Sequence, residues 1–123
     1  MSNKAIFDLE TSGTNTETDR IVEISIVKTD KFFNVVDKYY RLINPTVQIP
    51  QGASDVHGIT NERVKNAPTF AQVANEVYSF ISGCDLGGFN SDRFDIPLLV
   101  AEFRWVTIRE QNLNKRNTLL FEY

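Results

Sequence analysis

The chain has 123 residues, 41% hydrophobic and 24% charged, with a single cysteine, Cys84, the balance of an ordinary globular domain that folds as one unit over residues 1–123 without disulfides or a structural metal. The formal net charge of −3 gives no basic surface for nonspecific nucleic-acid binding, although an enzyme that places its own carboxylates on a metal can be acidic and still meet phosphate. No window approaches the ~18 apolar residues of a membrane span and no signal-peptide core follows Met1, so the expectation is a cytoplasmic protein that does not enter a membrane.

In chain order, KAIFDL at 4–9 alternates, with Ile6 and Asp8 on one side and Phe7 on the other, and predicts a short half-buried strand. TSGTNTETD at 11–19 is a loop. Residues 20–29 (RIVEISIVKT) and 32–43 (FFNVVDKYYRLI) predict two long strands. Only Asp30 and Lys31 lie between them, which predicts a tight antiparallel hairpin. Residues 46–57 show no period and are broken by Pro50 and Gly52, predicting a loop with room for one helical turn. Thr60 caps a short helix, and Thr69 caps a longer one over 70–81 that buries Phe70, Val73, Ala74, Val77, Phe80 and Ile81. A short strand over 85–89 follows. Asn90-Ser91-Asp92 then caps a helix with Phe94, Leu98, Ala101 and Trp105 on one face and Pro97 in its first turns. Residues 106–123 fit either a continued helix or an irregular tail. The order β, β, β, α, β, α describes an α/β domain with a mixed sheet: an antiparallel three-stranded meander followed by a helix-linked strand.

Two segments carry chemistry. In FDLETSG, Asp8 and Glu10 stand at i and i+2 of a strand, on one side and about 6.5–7 Å apart. At ~7 Å and an effective dielectric of ~20 they repel by about 2.4 kcal/mol, a cost that a divalent cation turns into attraction, and oxygen-only ligation favours Mg²⁺ or Mn²⁺. Taken alone, such a pair is usually a solvated strand end. In GGFNSDRFDIPLL, Asp95 lies in the first turn of a predicted helix, where the dipole favours its ionised form. Taken alone, Asp92 and Asp95 simply satisfy a helix N-terminus; brought together with Asp8 and Glu10, they read as a metal site.

These segments, with RIVEI at 20–24 and HGIT at 57–60 between them, resemble the motifs of the DnaQ-like (DEDD) 3′–5′ exonucleases, of the polymerase III epsilon type. The resemblance runs from about Ala5 to Phe103 and leaves 106–123 as a divergent tail. It implies a ribonuclease-H-like fold and two-metal hydrolysis of the 3′-terminal phosphodiester of DNA, or of RNA, releasing nucleoside monophosphates. It further implies Mg²⁺ or Mn²⁺ on Asp8, Glu10 and Asp95, with Thr11, Gly13, His57, Asn90 and Phe94 contacting or supporting the terminal nucleotide. The partners implied are single-stranded 3′ ends and a DNA polymerase subunit.

The family's third motif, H-x-x-x-x-D or Y-x-x-x-D, supplies a fourth carboxylate and a general base. Here no Asp follows Asp95 and no His follows His57, so the later acids are Glu102, Glu110 and Glu122. The expectation is a C-terminally incomplete fold with lowered turnover, an uncovered apolar surface and self-association through it. The alternative is a non-catalytic module that binds nucleic acid or a polymerase. A haloacid-dehalogenase phosphatase shares a strand ending in D-x-acid, but Glu10 in the second position and the lack of an Asp-Asp pair argue against it.

Overall fold

β1 (Lys4–Thr11) buries Ala5, Phe7, Leu9 and Thr11 and turns Ile6, Asp8 and Glu10 to its other side, the alternation that its sequence dictates. In the computed structural model, which describes residues 3–15, 18–88 and 96–114, β1 pairs antiparallel with β2 (Ile21–Thr29). β2 in turn pairs antiparallel with β3 (Val35–Leu42). On its other edge β1 takes β4 (Asp85–Gly88) in parallel, so the sheet order is β3-β2-β1-β4. The meander and the helix-linked strand are therefore both present.

Four helices complete the described chain: α1 (Gln51–His57), α2 (Asn61–Val64), α3 (Phe70–Ile81) and α4 (Ile96–Asn114). α3 starts at the expected place because Thr69 and Gln72 form a reciprocal capping box. α3 and α4 pack on the Phe7 face of the sheet, where Phe7, Ile24 and Ile26 meet Phe70, Val77, Leu98 and Phe103. The Phe70 and Phe103 rings meet edge to face with centroids 5.1 Å apart. A second cluster of Val22, Ile49, Ile59 and Val64 seats α1 and α2. A bulge between Glu10 and Thr11 sets Glu10 opposite Glu23 and Thr11 opposite Ile21. Val22 is thereby released from the ladder into the second cluster.

Four expectations are corrected. The hairpin turn is longer than two residues, and β3 begins at Val35 rather than Phe32. The Asp30 carboxylate accepts from the Phe32 and Asn34 amides and from Asn34 Nδ2, and Phe33 adopts a left-handed φ of 67°. These local bonds outcompete the ladder at 32–34. Within the segment read as a loop, residues 51–57 form a seven-residue helix entered from Pro50 and closed by Gly58 at φ 76°. Phe80 is half-buried, with the Lys28 ammonium 4.4 Å above its ring. α4 buries Leu98, Leu99, Glu102, Phe103 and Val106, while Ala101 is half-buried; of the predicted face, Phe94 and the Trp105 side chain lie outside the described residues. The helix continues to Asn114. Phe89, the predicted cap at 90–92 and residues 115–123 also lie outside the described residues.

The sheet face away from α3 and α4 carries half-buried Ile6 and Val27 beside exposed Phe33 and Val35. They line a groove of about 510 Å³ that reaches Asp8 and Ser25. Among the described residues no helix is long and apolar enough to cross a membrane.

Candidate active site

Asp8 is exposed opposite Ser25, and Glu10 is half-buried opposite Glu23. Directly opposed strand residues share a sheet face, so Asp8, Glu10 and Glu23 form an acidic strip on the face turned away from the core. Sequence reasoning missed Glu23, because its place depends on the hairpin register rather than on its own neighbours. The Tyr40 hydroxyl donates to Glu23 Oε2 at 2.6 Å; that bond, aided by partial burial, raises the Tyr40 phenol above its ordinary value. The donor set suits a hard divalent cation. Among the described residues no three ligating side chains converge on one ion, so Asp8 and Glu10 furnish two donors and Glu23 does not complete the set.

β4 bears on the third expected carboxylate. Parallel pairing sets Phe7 opposite Gly88, so the chain leaves β4 beside the residue that precedes Asp8. α4 begins at Ile96, directly after Asp95 in sequence. Both strands point their carboxyl ends to the same edge, where open α/β sheets form ligand sites. Asn90, Phe94 and Asp95 themselves lie outside the described residues.

The loop after Glu10 is tied down at every step. Thr11 Oγ1 donates to the Gly13 carbonyl, and the Thr11 carbonyl meets His57 Nε2 at 2.9 Å. The Ile59 amide donates to His57 Nδ1 at 3.1 Å, which makes Nδ1 the acceptor and leaves Nε2 to carry the proton toward Thr11. Both ring nitrogens of His57 are thus engaged, and a nucleotide could meet only the ring face or edge carbons. Gly13 is required by close approach: a methyl group there would stand 2.7 Å from Asp19 Cγ. Asp19 is held in place by Ser12 Oγ at 2.9 Å and the Asn15 amide at 2.8 Å.

Of the later acids, Glu102 does not face the acidic strip. It is 2% exposed and its carboxylate takes Arg20 Nε at 3.1 Å, Arg20 Nη2 at 2.9 Å and the Ile21 amide at 2.9 Å. No sequence pattern signals this, since its partner lies 82 residues away. The Glu110 side chain and Glu122 lie outside the described residues.

The model of the RNase_T family, described as exonuclease, matches residues 5–121. The chain belongs to that exonuclease family. It is 35% identical over 96 residues to DNA polymerase III subunit epsilon of Treponema pallidum, covering 78% of this chain and 44% of the relative. It is 31% identical over 106 residues to the 3′-5′ exonuclease DinG of Staphylococcus aureus, covering 85% of this chain and 11% of that protein. The chain thus spans less than half the length of these two relatives. The zinc-ion-bound E. coli exonuclease I complex with single-stranded DNA superposes with a TM-score of 0.80 at 25% identity, over 87% of this chain and 24% of that one. The ribonuclease-H-like architecture of the exonuclease family accounts for the mixed sheet.

Proposed function

We propose that this exonuclease-family chain performs metal-dependent 3′–5′ hydrolysis of the terminal phosphodiester of single-stranded DNA, releasing nucleoside monophosphates. The observation that carries the reading is the parallel register of Phe7 with Gly88, which starts the segment containing Asp95 beside the strand bearing Asp8 and Glu10. These three carboxylates are assigned as holders of Mg²⁺ or Mn²⁺. When bound, a pair of such cations supplies a nucleophilic water and charge for the leaving 3′-oxygen. Thr11, Gly13, Asn90 and Phe94 are assigned to the terminal nucleotide, and His57 supports them by holding the Thr11 carbonyl. DNA is preferred to RNA because the epsilon subunit is named for a DNA polymerase and the exonuclease I complex contains single-stranded DNA. A polymerase subunit is the corresponding protein partner.

The test is release of labelled 3′-terminal nucleotide from single-stranded DNA and RNA with Mg²⁺, Mn²⁺ or EDTA, beside Asp8→Ala. Metal-dependent release that disappears in the variant supports the reading. Retained strand binding without release, in a folded protein, replaces it with the non-catalytic binding module.

A further inference from the structure

Among the described residues, Glu102 is the one buried charged side chain. A buried carboxylate is costly unless it is paired and fully hydrogen-bonded. Glu102 meets that condition with three N–H donors, two from the Arg20 fork and one from the Ile21 backbone. Apolar residues of similar volume would hold α4 to the sheet at least as well. What the fork adds is direction: a guanidinium bound through two nitrogens fixes angle as well as distance.

That direction is delivered to one place. The Arg20 amide donates to Ser12 Oγ at 2.9 Å, and the Arg20 carbonyl accepts from the Ser12 amide at 2.9 Å. Ile21, the other residue bound to Glu102, stands opposite Thr11. Arg20 Nη1 also donates to Thr46 Oγ1 at 3.3 Å. Glu102 therefore grips both residues that clasp the end of β1, one and two positions beyond Glu10, from a helix that starts directly after Asp95.

We infer that the Glu102–Arg20 pair is a positioning clamp that sets the first-motif strand end against the second-motif helix, and that Glu102 is not a substitute metal ligand. The inference rests on the exonuclease reading for its kinetic consequence but not for its binding consequence. Misplacement of a reacting group by ~1 Å can cost about 10²-fold in rate, so a loosened clamp lowers kcat more than it raises KM.

The experiment compares the full chain with R20M/E102Q, which removes both charges and keeps a carbonyl oxygen for the Ile21 amide, with the single variants R20M and E102Q that complete the cycle, and with R20K, which keeps the charge without the fork. Mn²⁺ affinity is measured by calorimetry without nucleic acid, with Asp8→Ala to mark the site, and kcat and KM are measured on a single-stranded oligonucleotide. The expected result is a folded R20M/E102Q protein with Mn²⁺ affinity down about fivefold and kcat down about tenfold or more, KM changing less than about threefold, and R20K in between. If R20M/E102Q does not fold, R20K is read on the same scale. Wild-type Mn²⁺ affinity and kcat in the folded variants would overturn the clamp. Loss of Mn²⁺ binding in E102Q that is undiminished on the R20M background would instead make Glu102 a ligand and also overturn it. If the wild type releases no nucleotide while its Mn²⁺ affinity still responds to R20K, the exonuclease reading fails and the clamp stands.

Discussion

Phe7 and Asp8 are adjacent in sequence and occupy opposite environments. Phe7 is 1% exposed among Ile24, Ile26 and the α3 and α4 side chains, whereas Asp8 is exposed on the acidic strip. β1 thus assigns packing to one face and candidate chemistry to the other, and each can be altered without the other. Asp8→Ala is expected to reduce metal-dependent nucleotide release by about 10²-fold or more, because it removes a carboxylate assigned to the cations, while stability stays within about 0.5 kcal/mol. Phe7→Ala is expected to cost about 3–5 kcal/mol in urea unfolding, with any folded fraction still competent. Equal stability losses in the two variants would break the division between the faces.

Gly13 sharpens the comparison, because there packing and the candidate site coincide. A methyl group at Gly13 meets the Asp19 carboxylate, whose two hydrogen bonds prevent it from swinging clear. Gly13→Ala is expected to cost about 1–3 kcal/mol by overpacking and to slow nucleotide release as well. Asp19→Ala in the same chain removes the clash, so the double variant should be less destabilised than the sum of the single ones in thermal unfolding.

The sequence made legible what is local. Alternation in 4–9 and 20–29 and the Thr69 cap each lie within a few residues, and the corresponding elements are present. α1 was not legible, because its support is tertiary: Ser54 Oγ donates to the Ile59 carbonyl, and Ile49 and Ile59 pack on Val22. On α4 a count of apolar letters passes over Glu102, which belongs inside only by virtue of Arg20. The site divides in the same way. Asp8 and Glu10 could be read from the spacing within one strand, while the His57 tether to Thr11 and the clasp by Arg20 join residues far apart in sequence.

Within the acidic face, Glu23 tests whether the strip carries real repulsion. Like charges directly opposite on neighbouring strands are destabilising, and Gln at 23 keeps an acceptor for the Tyr40 hydroxyl while removing one charge facing Glu10. Glu23→Gln is expected to raise metal-free stability by about 0.2–1 kcal/mol at low salt. The gain should shrink as salt is added, which thermal unfolding at two ionic strengths would show.

The smallest effect separates the two ends of the hairpin by pH. The Asn34 backbone amide, followed by its side-chain amide, holds the Asp30 carboxyl below its ordinary value of 3.8. A carboxyl whose folded pKa is depressed contributes fully above its unfolded pKa, and that contribution is lost as pH falls through the folded value. The turn at Asp30 is therefore expected to loosen only below about pH 3.8, and the Asn34 amide resonance should move there while those of the core strands stay fixed. In Asp30→Asn the same resonance should lose its acid transition. A transition that persisted in the variant would place the titrating group elsewhere and detach the turn's geometry from the Asp30 charge.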